Sequence, residues 1–168
     1  MKRRLIAAAI GATALVSGAA VAVATPGSGI IEAPILARGS FPDEVGIKFG
    51  VRHPDGKKEI IQVGDPSETV VQRIVVGPGG QTGWHSHPGP ALVVVESGEL
   101  ALYRADDPTC RAHPYGPGEA FLDPGRGNVH IGRNLSSDEN VLLYVTYFDV
   151  PVGGSPRIDS PDPGNCSF

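Results

Sequence analysis

The chain has 168 residues, which fits one domain, and its formal net charge is −4. The absence of a heptad pattern argues against a coiled coil. The 6% aromatic residues and one methionine leave little material for an adaptable, calmodulin-like binding surface. The 23 glycines and 16 prolines approach a composition typical of disorder, but the apolar residues fall in short dense runs such as 92–95 and 141–145. Short apolar runs between Gly and Pro residues predict an all-β domain.

The first 24 residues have the pattern of a secretory signal peptide. Residues 1–4 are basic, residues 5–23 are apolar or small, and Ala22-Val23-Ala24 has the A-x-A form of a cleavage site. We expect cleavage after Ala24 and a secreted or otherwise extracytoplasmic protein. An uncleaved membrane anchor is the alternative, because an apolar stretch of about 19 residues can just span a bilayer.

Cleavage makes the mature chain more acidic. The leader carries three of the 14 basic residues and no acid, so 11 basic residues would face 18 acidic ones, a net charge of −7. Such a chain is poorly suited to neutralise phosphates. We therefore expect no nucleic-acid partner, and no membrane partner beyond the export signal.

The rest of the chain divides into a lead-in, a domain and a tail. Residues 25–44 are a lead-in broken by Gly and Pro, with one edge strand. Residues 45–150 hold eight or nine short strands, a number and spacing typical of a sandwich, jelly roll or barrel. The run 91–95 is predicted to be a buried strand, and 105–117 to be a polar loop. The predicted strands cover 45–51, 58–63, 70–76, 91–95, 99–104, 119–122, 128–133 and 140–148.

Two cysteines, Cys110 and Cys166, predict a disulfide in an exported chain, with two free thiols as the alternative. Cys166 belongs to residues 151–168, a Pro- and Gly-rich tail without a strand pattern. A bridge would tie down this tail and close a loop of nearly 60 residues, a structural rather than a redox role.

His85 and His87 are the most informative of the five histidines. Residues i and i+2 of a strand face the same side, so both imidazoles could reach one metal ion. An H-x-H pair alone is a weak signal, since it also suits a polar sheet edge. His53 and His113 have no ligand partner at strand spacing and are predicted to be surface residues.

The surroundings of the pair strengthen the metal hypothesis. Gly79, His85, His87 and Gly98 resemble the first sequence motif of the cupin superfamily, G-x5-H-x-H-x3,4-E-x6-G. The second motif, G-x5-P-x-G-x2-H-x3-N, is matched with one extra residue before its middle glycine. Its residues here are Gly118, Pro124, Gly127, His130 and Asn134. The resemblance implies a cupin-type double-stranded β-helix, that is, a jelly-roll barrel.

The resemblance also implies a metal site and a partner. Its ligands here would be His85, His87 and His130, because Ala91 occupies the position of the motif glutamate. Glu96 is predicted to face the opposite side and Glu99 to be no better placed, so no other carboxylate replaces it. Three imidazoles suit a divalent ion, Fe, Zn, Mn, Ni or Cu. Cupins often pair through edge strands, which implies a homodimer.

Three functions follow from this reading. The first is a metal-dependent enzyme, oxygen-dependent or otherwise, acting on a small molecule. The second is a binding module that holds a metal or small ligand without turnover. The third is a metal-free degenerate cupin. The sequence does not settle which face of each strand points inward, so no residue is assigned as catalytic. The polar or aromatic residues considered for the barrel interior are Gln72, Arg73, Trp84, Tyr103, Tyr144 and Tyr147.

Overall fold

The computed structural model describes residues 23–52, 56 and 58–168, so most of the predicted signal peptide lies outside the described residues. The described part contains strands and no helix, in agreement with the predicted all-β class. No helix in this part is long and apolar enough to cross a membrane. The strands are β1 (Ser28–Glu32), β2 (Ile35–Gly39), β3 (Gly46–Arg52), β4 (Lys58–Gly64), β5 (Glu68–Gln81), β6 (His85–Ser86), β7 (Ala91–Ser97), β8 (Leu100–Arg104), β9 (His113–Tyr115), β10 (Ala120–Asp123), β11 (His130–Asn134), β12 (Val141–Val150) and β13 (Ile158–Asp159).

One antiparallel sheet of eleven strands forms a jelly-roll barrel, as predicted. Its main path runs β10-β7-β12-β5-β11-β6-β13, and β1 and β2 both pair with the long strand β5. Strand β8 pairs with β11 and β9. The remaining two strands, β3 and β4, form a separate hairpin. Successive wall strands thus come from distant parts of the chain, which brings the two histidine motifs together.

The barrel core follows the two-residue period of its strands. On β12, Val141, Leu143, Val145 and Tyr147 are all buried and face inward. They pack with buried residues of β5 and β7 into one apolar cluster. Burial of these side chains, at about 25 cal/mol per Å² of apolar surface, is the main force holding the walls together.

Strand β7 corrects one prediction. The run 91–95 is predicted to be a buried strand, but Leu92 and Val94 on its other side are 36% and 38% exposed. Ala91, Val93 and Val95 are buried, so the strand has one inner and one outer face. An unbroken apolar run is typical of a strand covered on both sides. Within the described part of the chain, the outer face of the barrel wall has no covering layer at β7.

The loops and ends hold more regular structure than predicted. The predicted polar loop 105–117 contains β9, which pairs with β8. The lead-in has two strands, not one, and both extend the main sheet beside β5. The tail carries the two-residue strand β13, paired with β6. These pieces are too short, or too broken by Gly and Pro, to show a period in the sequence.

The predicted disulfide joins Cys110 to Cys166, across a sequence separation of 56 residues. Both cysteines pack against a second apolar cluster that contains Trp84 and Tyr103. The ring of the last residue, Phe168, stacks on Trp84 with 6.4 Å between ring centroids. The bridge and these contacts hold the tail against the barrel.

Candidate metal centre

His85, His87 and His130 converge inside the barrel and are called the histidine triad below. His85 begins β6 and is the register partner of His130 on β11, while His87 follows β6 directly. One ligand atom from each residue lies within 4.8 Å of the others. Ring centroids are 4.4 Å apart for His85 and His130, 4.9 Å for His85 and His87, and 5.1 Å for His87 and His130.

Each triad ring is oriented by a backbone carbonyl. The Nδ1 atom of His85 lies 2.8 Å from the carbonyl oxygen of Gly83, and that of His87 lies 2.8 Å from Pro156. The Nδ1 atom of His130 lies 3.1 Å from the Asn128 carbonyl. A carbonyl only accepts, so each Nδ1 must carry the proton. The neutral tautomer therefore keeps a lone pair on Nε2, as a metal ligand requires.

Burial keeps the triad neutral. The three side chains are buried, and desolvation is the main cause that lowers their pKa values, followed for His85 and His87 by the neighbouring imidazoles. The pKa falls to about 4 for His87 and His130, and well below the usual value for His85. At neutral pH all three rings can therefore act as ligands. Three imidazoles are a donor set that fits Zn²⁺ and other divalent transition-metal ions.

The structure adds a carboxylate that the sequence analysis missed. Ala91 is fully buried, and Glu96 and Glu99 are exposed as expected. Asp123, however, is the direct register partner of Ala91 between β10 and β7, so both side chains share the inner face. Asp123 lies just before Pro124 of the second motif. An acidic residue at that position was the feature of the sequence that could have indicated a carboxylate near the triad.

Asp123 lies beside the triad and outside its 4.8 Å cluster. Its Oδ1 atom is 3.6 Å from Nδ1 of His130, and its Oδ2 atom accepts a hydrogen bond from the Gly125 backbone at 3.0 Å. Burial raises the pKa of this carboxyl, and the electrostatic interaction with the His87 ring partly opposes that rise. A carboxylate here would supply negative charge near a cation held by the triad without itself being one of its ligands.

Tyr147 packs beside the triad. Its ring centroid is 5.0 Å from that of His87, and its buried hydroxyl donates to Oε1 of Gln72 at 3.1 Å. Burial raises the pKa of the phenol above its usual range, so Tyr147 stays protonated at neutral pH. Of the six residues considered for the interior, Gln72 and Tyr147 border the site.

The other four lie elsewhere. Arg73 pairs with Glu32 at 2.7 Å, and Tyr144 is 38% exposed on the outer face of β12. Trp84 and Tyr103 belong to the apolar cluster around the disulfide. His113, predicted to be at the surface, is half-buried on β9 and does not belong to the triad cluster. His53 lies outside the described residues.

A cavity of about 470 Å³, called the mouth cavity below, borders the triad on the side of His85 and His87, and His130 is not part of its wall. His85 and His87 form part of its wall, together with Gln72 and Tyr147. The tail forms another part of the wall through Ser155, Pro156 and Arg157. A small molecule in this cavity would lie beside His85 and His87. The cavity size lies within the range of about 300–1,000 Å³ that is common for small-molecule sites.

Several known proteins are similar to this chain. The family model described as "Cupin domain" matches residues 72–147. Germin-like protein subfamily T member 3 of Arabidopsis thaliana is 34% identical over 80 residues, which are 46% of this chain and 35% of that relative. The chain thus aligns with about a third of that relative's length.

Solved structures show a looser likeness. A cupin domain from Bordetella pertussis Tohama I is 25% identical, with a TM-score of 0.41 over 48% of this chain and 80% of that one. A Cupin 2 conserved barrel domain protein from Salinispora arenicola CNS-205 is 19% identical, with a TM-score of 0.43 over 68% and 71%. The family model, the curated relative, and the histidine motifs inside an antiparallel barrel together support the cupin superfamily as the family of this chain.

Proposed function

We propose that the protein is an exported, metal-dependent cupin that acts on a small molecule at the barrel mouth. The observation that carries the proposal is the convergence of three buried histidines whose Nδ1 atoms are each held by a backbone carbonyl. One ligand atom from each ring lies within 4.8 Å of the others, close enough for a single cation to bind all three. One divalent ion, Fe, Zn, Mn, Ni or Cu, fits the donors.

The residues around the triad have separate roles. The carbonyls of Gly83, Asn128 and Pro156 fix the three ring orientations, so little entropy is lost when the ion binds. Asp123 balances part of the cation's charge from the inner face of β10. When bound, a metal held by three histidines acts as a Lewis acid toward a substrate in its open position or activates oxygen or water.

A binding module without turnover is the second candidate. The observation that favours it is the state of Tyr147, whose hydroxyl already donates to Gln72 and whose raised pKa keeps it protonated. The described wall of the mouth cavity therefore offers no obvious general base of its own. Turnover of a small molecule by the metal-loaded protein separates the two candidates.

Export is part of the proposal and rests on two features. The leader has the basic, apolar and A-x-A parts of a signal peptide. The Cys110–Cys166 bridge is typical of a protein that matures in an oxidising compartment. The amino-terminal sequence of the secreted protein tests this part, and we expect it to begin at Thr25.

Metal content of the purified mature protein, measured by elemental mass spectrometry, tests the proposal. We expect about one equivalent in the wild type and none in a His85→Ala/His87→Ala double variant. His113→Ala is the matched control, since it removes an imidazole outside the triad, and it should keep its metal. Iron would direct assays to oxygenase chemistry and zinc to hydrolysis or binding. Absence of metal after reloading with all five ions would contradict the proposal and leave a metal-free cupin.

A further inference from the structure

The tail, residues 151–168, supports two of the three triad histidines. The carbonyl oxygen of Pro156 lies 2.8 Å from Nδ1 of His87 and is the acceptor that orients this ring. Strand β13 of the tail pairs with β6, where Asp159 is the register partner of His85. Strand β6 has two residues and lies between β11 and β13 in the sheet. The positions of both histidines therefore depend on the tail.

The tail has few apolar contacts of its own. Within it, only Pro156 and Ser160 are buried, and the ring of Phe168 stacks on Trp84 but stays 50% exposed. Much of the remaining contact consists of hydrogen bonds, such as the one from the Ser160 N–H to the Trp84 carbonyl at 3.0 Å. Ordering each tail residue costs conformational entropy, and so small an apolar contact offsets little of it. A further restraint is needed to keep the tail in place.

The disulfide supplies that restraint. It joins Cys166 to Cys110, which lies between β8 and β9, and the tail leaves the barrel at Val150, the end of β12. The segment that contains Pro156 and β13 is thus fixed at both ends. Without the bridge one end is free, and an open tail regains the entropy that loop closure removes. The bridge therefore favours the closed tail, although neither cysteine belongs to the triad cluster.

We propose that the Cys110–Cys166 bridge controls the metal affinity of the triad by holding the tail closed beside β6. With the bridge formed, the Pro156 carbonyl accepts the Nδ1 proton of His87 and leaves Nε2 free as a ligand. A dithiol reductant breaks the S–S bond by exchange: the two cysteines gain two electrons and two protons, and the dithiol becomes a disulfide. The tail then opens, and metal binding has to order it again.

This inference rests on the proposed function, since it concerns the affinity of the same metal site. Disulfides form in oxidising compartments, so the triad would reach its full affinity only after export. The coupling is also reciprocal, because any factor by which the bridge raises metal affinity is the factor by which bound metal favours the bridge.

Competition titration of the mature protein with Zn²⁺ and a chromophoric chelator tests the proposal. Cys110→Ser/Cys166→Ser, called the bridge-free variant below, removes the bridge without leaving thiols that could bind Zn²⁺ themselves. We expect it to bind Zn²⁺ about 10- to 100-fold more weakly than the wild type, the usual effect of losing a partner that orients a metal ligand. Val141→Ala is the control for lost stability, because Val141 is fully buried in the barrel cluster, which contains no tail residue. It should bind Zn²⁺ like the wild type.

Amide hydrogen exchange of the metal-free proteins shows where the change occurs. The Ser160 N–H is hydrogen-bonded to Trp84 in the closed tail. In the bridge-free variant it should exchange at nearly the rate of an unstructured peptide, whereas the amides of β12, between β5 and β7, should stay protected. Excess Zn²⁺ should slow the exchange of Ser160 again, because the coupling is reciprocal.

A second variant makes the same test in a chain that keeps its bridge. Ser160→Pro removes the N–H that donates to the Trp84 carbonyl, and so loosens the tail beside β6. It should weaken Zn²⁺ binding about 2- to 10-fold, which corresponds to the net contribution of one hydrogen bond. If the β12 amides of the bridge-free variant also lose protection, the barrel has unfolded and Ser160→Pro decides the question.

The outcomes separate this inference from the proposed function. Unchanged Zn²⁺ binding by both tail variants, an equal loss of affinity in Val141→Ala, or a Ser160 amide that stays protected without the bridge would each overturn the inference and leave the metal site intact. Failure of the oxidised wild type to take up any of the five ions would instead contradict the proposed function, and this inference with it.

Discussion

Removal of the Cys110–Cys166 bridge should destabilise the protein strongly. The bridge joins residues 56 positions apart, and the chain-entropy relation for a closed loop of that size gives about 4 kcal/mol of stabilisation through the unfolded state. A native stability of about 5–15 kcal/mol is typical of single domains. A Cys110→Ser/Cys166→Ser variant should therefore lose a large part of its free energy of unfolding.

Urea unfolding followed by Trp84 fluorescence measures the loss. Trp84 is the single tryptophan, is 2% exposed, and contacts the tail through Phe168. We expect the free energy of unfolding to fall by about 4 kcal/mol with one transition for the tail and the barrel. Wild-type protein reduced with dithiothreitol should give the same value. A loss below about 1 kcal/mol would refute the reasoning, because the noncovalent contacts of the tail would then be sufficient without the bridge.

Three further predictions concern the site and its loops. The metal-free protein should lose stability as the pH falls from 6.5 to 4.5, because the unfolded state binds more protons than the folded state in this range. The expected loss is about 2–3 kcal/mol for each of the two triad histidines whose folded pKa is about 4. Denaturation at pH 7 and at pH 4.5 measures this loss, and equal stability at both would exclude neutral burial of the triad. Asp123→Asn should weaken metal affinity about 10- to 100-fold in competition titrations, whereas Glu96→Gln, on the exposed face, should not change it. Gly125→Ala should lower the free energy of unfolding by more than about 2 kcal/mol, since the added Cβ would lie 1.9 Å from the Gly89 carbonyl oxygen. Gly127→Ala has open space around the added Cβ and should cost only its backbone strain. Thermal or urea unfolding measures both losses, and equal losses would contradict the steric explanation.

The triad was predictable because its information is local in the sequence. His85 and His87 are two residues apart, and the second motif places His130 at a fixed spacing from its glycines. The antiparallel barrel then brings His130 beside His85 through the pairing of β11 and β6. The motif residue Asn134 has a structural role, since its amide donates to three backbone carbonyls near the start of β12.

The acid before Pro124 was visible in the sequence, but the places of Asp123 and Arg157 in the fold were not predictable, because they depend on nonlocal register. Asp123 reaches the inner face beside Ala91 only through the alignment of β10 with β7, which strand parity alone does not fix. Arg157 reaches the cavity because the tail returns across the barrel mouth, and its Pro and Gly content shows no periodicity. A residue that is brought to a site by long-range pairing of the chain leaves no characteristic spacing in a single sequence.

Anomalous diffraction from crystals of the metal-loaded protein tests the central claim most directly. The account predicts one anomalous peak inside the barrel at the absorption edge of the loaded metal, about 2.0–2.2 Å from Nε2 of His85, His87 and His130. Each Nδ1 atom should remain on its backbone carbonyl. A peak bound through Nδ1, a peak elsewhere, or no peak from fully loaded crystals would contradict the account.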